Sequence, residues 1–198
     1  RHYGANSLTN MLGSRFYHIL QRSEIVNKSQ FGFKVVTKWA DGDHPGRQGI
    51  FVTPSSKPDS LAFKMKIKVP TILIHKDHVT EDVLAHEMLH AVTWTALKNS
   101  PTLRALFTPI LKRLQEERQT APKGNVTDIL NTILDMPLDG EGKNTTNTSQ
   151  VSELLAYGFT NKEFQDFLKT VKNVEGRSTV GKVMRNAFDL FVNLVKLV

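Results

Sequence analysis

The stretch VTEDVLAHEMLHAVTWTAL, Val79 to Leu97, decides how this chain is read. Val83, Leu84, Met88, Ala91, Val92 and Ala96 lie round most of a helical circumference rather than along one stripe, which predicts a central helix buried on most sides. Thr80 stands where an N-cap is wanted, and Glu81 and Asp82 fill the first turn, where the positive end of the helix dipole favours carboxylates. Ser100-Pro101 marks the stop and the start of the next helix, because Pro is tolerated at a first helical position. Inside these limits His86 and His90 fall four residues apart, about 40° round the axis and one turn up, so their imidazoles leave one face close enough to hold one ion. Glu87 sits at the side of that pair, where it reaches a water on such an ion without being a ligand itself.

Working outward, the whole chain sets limits on this reading. With 198 residues, 39% hydrophobic and 23% charged, it suits one globular domain with a real core and neither a disordered nor a membrane class. No apolar run is long enough to cross a bilayer. A cysteine count of zero excludes disulfide scaffolds, thiolate metal sites and thiol nucleophiles, so a metal must be held by His, Asp or Glu. The net charge of +7 and pI near 9.6 suit a polyanionic partner such as nucleic acid. The basic residues of Lys57–Lys68, Lys112–Arg118 and Lys162–Arg185 nevertheless have acids close by, as on solvated faces, and no nucleic-acid-binding module is recognisable. Sequons at Asn27, Asn125, Asn144 and Asn147 matter only in a secreted eukaryotic chain. Arg1-His2-Tyr3-Gly4 carries neither an initiator Met nor a leader pattern, and residues 1–198 are expected to be a single domain excised from a larger polypeptide.

On the N-terminal side, Ser7–Ile25 has apolar residues near helical spacing. The period then changes: Phe31–Trp39, Gly49–Thr53 and Thr71–His75 are rich in aromatic and β-branched residues and predict strands, separated by the turn-forming Asp41–Gly46 and the loop Pro54–Ser60. Beyond Thr80 the pattern is helical apart from the loop Pro137–Ser149, which precedes the next helix and serves as a lid or a plain connector. Val180–Val198 is apolar on most sides and is expected to be buried or to dock on neighbouring sequence. The order helix, small sheet, several helices is an α+β pattern.

His86-Glu87-Met88-Leu89-His90 is the H-E-x-x-H motif of zinc metallopeptidases in the helical setting that the motif requires. A catalytic zinc needs a third protein ligand and an open fourth position. The longer metzincin pattern fails, since Thr93 and Ala96 stand three and six residues after His90. Glu153, in SQVSELLAYGFTNKEFQDFL, is a candidate on a helix that Ser149 can cap and whose inward face carries Leu154, Leu155 and Phe159; Asp128, Asp135 and Asp139 are the alternatives. His75 and His78 form a second His-x-x-His across a strand end, either a further metal pair or a His75 facing the cleft. Thr160-Asn161-Lys162-Glu163 matches a capping box and predicts a new helix after Phe159.

His86-Glu87-Met88-Leu89-His90 with Glu153 in a later helix resembles the gluzincin branch of the zincin superfamily, whose third zinc ligand is a Glu on a following helix. AHEMLHAVTWTAL, NSPTLRALF and SELLAYGFTNKEFQDFL together resemble the metallopeptidase-like domains embedded in very large bacteriophage and prophage polyproteins, over about Thr71 to Leu168. The resemblance implies a zincin-like α+β fold, with a helix and small mixed sheet in 1–79 packed on an active-site helix and a mainly helical part in 80–198 that holds Zn2+ by His86, His90 and Glu153. It implies an edge strand beside the cleft, for which Thr71–Lys76 is placed in sequence, with a peptide substrate extended along it. Location stays open, with association with a virion or delivery into a host cell as the options. Where thermolysin-like enzymes have an Asp four residues after the ligand Glu to orient a metal-bound His, this chain has Tyr157, which accepts that hydrogen bond more weakly than a carboxylate, donates to the developing oxyanion, or is a core tyrosine.

The expected function is therefore a zinc-dependent metalloendopeptidase with Glu87 as general base. Two rivals of other classes are an inactive zinc-binding structural module of a phage or toxin polyprotein, and a basic nucleic-acid-binding domain whose zinc is structural.

Overall fold

Ile72, Leu73 and Ile74 are wholly buried, the burial a strand needs when both of its faces are covered. In the computed structural model, which describes residues 31–42, 44, 46–136 and 147–172, they form β3 (Thr71–His75). β3 is the middle strand of a three-stranded mixed sheet of order β1-β3-β2. β1 (Gly32–Val36) runs parallel to it, with Gly32 opposite Thr71 and Val36 opposite His75. β2 (Gly49–Val52) runs antiparallel, with Gly49 opposite Ile74 and Val52 opposite Thr71. This corrects the expectation that Thr71–Lys76 is the edge strand. Both of its ladder sides are taken, and the continuous apolar run is what a central strand needs, so the edges among the described residues are β1 and β2.

Alternation along β3 assigns its two faces. Leu73 packs with Val36, Trp39, Val52, Leu61, Ala62 and Ile67, on the side of the short helix α1 (Leu61–Lys64) that Ser60 caps through Phe63 N–H. Ile72 and Ile74 face the other way, against Ala91, Val83, Leu84 and Met88, all from α2 (Glu81–Asn99). The small sheet thus packs on the helix that carries the two histidines. Thr80 caps α2 as expected, its hydroxyl accepting from Val83 N–H at 3.3 Å. At the far end the Arg104 guanidinium donates to the carbonyls of Leu97 and Lys98, satisfying groups that the last turn leaves unbonded.

The chain divides into two compact units, Arg1–Thr93 and Trp94–Val198, with the boundary inside α2. The second unit holds α3 (Pro101–Ala105), which Ser100 caps with Pro101 at its start, followed by α4 (Thr108–Glu117) and α5 (Asn125–Leu134). Its last described helices are α6 (Thr148–Thr160) and α7 (Lys162–Thr170). Its core is aliphatic and aromatic, with Phe107, Ile110, Leu114, Leu130, Ile133, Leu154 and Phe164 fully enclosed. Arg118 pins the ends of α4 and α5 together by donating to Asn131 at 3.0 Å and to both carboxylate oxygens of Asp135 at 2.7 and 2.5 Å.

Two cap assignments shift. Asn147, not Ser149, caps α6, its side-chain oxygen accepting from Ser149 N–H at 2.7 Å; Ser149 is already helical. Asn161, not Thr160, caps α7, accepting from Phe164 N–H at 2.9 Å, while the Thr160 hydroxyl donates back to the Ala156 carbonyl at 2.7 Å. The helix expected over Ser7–Ile25, residues 137–146 of the loop and Val180–Val198 lie outside the described residues. No helix among the described residues is long and apolar enough to cross a membrane.

Candidate metal centre

The sheet fixes the middle of α2 and so fixes which way its polar residues point. With Ala91, Met88 and Leu84 turned to β3, His86 and His90 share another face of the helix, and their Nε2 atoms approach to 3.1 Å with the ring centroids 4.8 Å apart at 76°. Two nitrogens that close share one proton, one donating and the other accepting, or they turn their lone pairs on a cation. The spacing fits a cation: two imidazole nitrogens on one tetrahedral zinc are about 3.3 Å apart, given bonds of about 2.05 Å.

Glu87 points elsewhere, as its place one residue along the helix requires. It is buried, at 6% exposure, against the start of β2. A Cβ built on Gly49 would stand 2.8 Å from its Cγ and 2.9 Å from its Oε1. Only a glycine lets the β2 backbone come this near the carboxylate, so Gly49 belongs to the site although the sequence reading did not single it out. The signal was present, since a glycine inside a strand pattern marks close approach.

In the second unit Glu153 lies in the second turn of α6, half-buried beside the enclosed Leu154 and Leu155. Glu153 is the acid of this unit that the sequence offers as third ligand beside His86 and His90. Of the alternative acids, Asp135 is engaged by Arg118, which holds its carboxyl below the usual range. Asp128 sits in the first turn of α5, and Asp139 lies outside the described residues. Tyr157 follows Glu153 by four residues on the same helix, half-buried, and its carbonyl accepts from Asn161 N–H at 2.9 Å.

His75 and His78 do approach, with centroids 5.9 Å apart. Nε2 of His75 lies 2.9 Å from the Thr37 carbonyl, and because a carbonyl only accepts, that nitrogen carries the hydrogen. Nδ1 accepts from Asp77 N–H at 3.4 Å. Both ring nitrogens are therefore engaged, Nε2 with the chain just after β1 and Nδ1 with the turn after β3, which opposes both a second metal pair there and a His75 free to polarise a substrate. No family model, curated protein or solved structure matches this chain.

Proposed function

We propose that the protein is a zinc-dependent peptidase in which His86, His90 and Glu153 hold the metal and Glu87 is the general base, a zincin-like domain of the gluzincin type. The observation that carries this reading is the 3.1 Å approach of the two imidazole nitrogens on one helix with a buried carboxylate between them in sequence. Bound zinc would supply Lewis acidity, acidifying a water and polarising the scissile carbonyl. The Glu87 carboxylate takes the proton of the attacking water and hands it to the departing amine. The wall made by Gly49 holds that carboxylate in one place, which keeps it aimed throughout the reaction. Glu153 as third ligand rests on the resemblance of its helix to the gluzincin pattern, and its charge would partly neutralise the cation while leaving a coordination position open. Tyr157, one turn beyond Glu153, is the candidate donor to the developing oxyanion.

The substrate strand follows the corrected topology. β2 has β3 as its only strand neighbour among the described residues, and its first residue packs on Glu87. An extended peptide added to β2 by main-chain hydrogen bonds would bring its carbonyl beside the base. The test is Glu87→Gln in zinc-loaded protein against a peptide library. Metal content should stay at the wild-type level while hydrolysis falls by about 10²-fold or more; undiminished cleavage would refute the assigned base. A zinc-loaded wild type that cleaves no peptide would leave a zinc-binding structural module instead.

A further inference from the structure

The turn after β1 and the end of β3 enclose a feature that the metal centre does not use. A cavity of about 390 Å³ is lined by Lys38, Trp39, His44, Arg47, His75 and His78 among others, and no acidic side chain of the described residues lines it. Its permanent cations are Lys38 and Arg47; the carboxylates that pair with lining residues, Asp41 with Arg47 and His44 and Asp77 with His75, stand outside the lining, so the wall itself turns cations and N–H donors to an anion.

Arg47 is already held in place. Its Nη1 donates to both oxygens of Asp41, at 3.1 and 3.0 Å, and its guanidinium carbon stands 5.3 Å from the centroid of the Trp39 ring. Burial pushes the Asp41 carboxyl up, but the bonds it accepts from Arg47 and the backbone, with the charges of Arg47 and His44, hold it below the usual range. Asp41 stays ionised and keeps the guanidinium plane fixed. Of the five N–H groups of an arginine, Nη1 accounts for two, so Nε and Nη2 are left to meet an oxyanion in the fork geometry that suits carboxylate and phosphate. A metal is the other ligand that three histidines suggest. The two bonds of His75 described above oppose it.

We infer that this cavity binds a small anion presenting carboxylate or phosphate oxygens, gripped by Arg47 and Lys38 beside the ring of Trp39. The inference stands apart from the peptidase reading, and so does its test. The chain has two tryptophans, so Trp94→Phe leaves Trp39 as the sole indole reporter in the cavity wall. Titration of that protein with glutarate, with inorganic phosphate and with neutral glutaramide, at constant ionic strength, separates charge from shape. Glutarate or phosphate should give a saturable change in emission and glutaramide none. Response to glutarate alone assigns a carboxylic acid, and response to phosphate alone a phosphoryl group. Arg47→Gln should raise the dissociation constant about tenfold or more. That variant also removes the Asp41 pair, so Lys38→Gln, at an exposed position, reads the cavity charge alone and should weaken binding in the same sense. No saturable change with either anion, or an unchanged constant in both variants, overturns the inference.

Discussion

Gly49→Ala is the most informative single substitution, because the structure says which atoms the new methyl group meets. It would stand 2.8 Å from Glu87 Cγ, 2.9 Å from Glu87 Oε1 and 3.1 Å from Val83 Cγ1. Carbon atoms rest at about 3.5 Å or more, so the carboxylate must retreat by about 0.7 Å. β2 cannot yield instead without straining its pairing to β3, in which Gly49 lies opposite Ile74. Overpacking of this kind costs about 1–3 kcal/mol of stability. The larger effect falls on chemistry, since a reacting group misplaced by about 1 Å loses on the order of 10²-fold in rate. The atoms nearest the new methyl belong to Glu87 and Val83 and not to the histidines, so zinc content should be that of the wild type. The assay is peptide hydrolysis by zinc-loaded wild type and variant at a temperature where both are folded, with metal measured on the same samples. Full activity in Gly49→Ala would refute the reasoning, because Glu87 could then not be acting from its place against β2.

The remaining predictions concern caps and charges. Asn147→Ala should lower stability by about 1 kcal/mol or more, whereas Ser149→Ala should stay within about 0.5 kcal/mol; thermal denaturation of the two variants decides which residue caps α6. Arg118 holds the Asp135 carboxyl below its ordinary value, so this pair stabilises the fold above the unfolded carboxylate pKa and the contribution is lost as pH falls through the folded one. Asp135→Asn should therefore be less stable than wild type at neutral pH and converge with it below about pH 4. Asp41→Asn should behave in the same sense, since Asp41 too is held low.

What could be read in the sequence was what local chemistry decides. α2 begins and ends where Thr80, Ser100 and Pro101 place it, because hydroxyl caps and a proline act within one turn. The three strands fall inside the runs of β-branched and aromatic residues, and the α+β class follows from their order. The place of β3 in the sheet was misjudged because strand order depends on pairings between distant segments, although the unbroken run Ile72-Leu73-Ile74 already favoured a central position. The cap of α6 moved from Ser149 to Asn147, and that of α7 from Thr160 to Asn161. In each case two competent side chains stand within two residues, and tertiary packing chooses between them. The contact of Gly49 with Glu87, and the gathering of Trp39, Arg47 and His75 round one cavity, depend on sheet register, which no spacing rule reports.

The central claim is that His86, His90 and Glu153 grip one zinc ion, and elemental analysis of purified protein paired with anomalous diffraction at the zinc edge tests it most directly. The account predicts one zinc per chain, an anomalous peak bonded to both imidazoles and the Glu153 carboxylate, and an affinity reduced by about 100-fold or more in Glu153→Gln. Zinc-supplemented crystals with no peak beside His86 and His90, or zinc affinity untouched by His86→Ala, would contradict it.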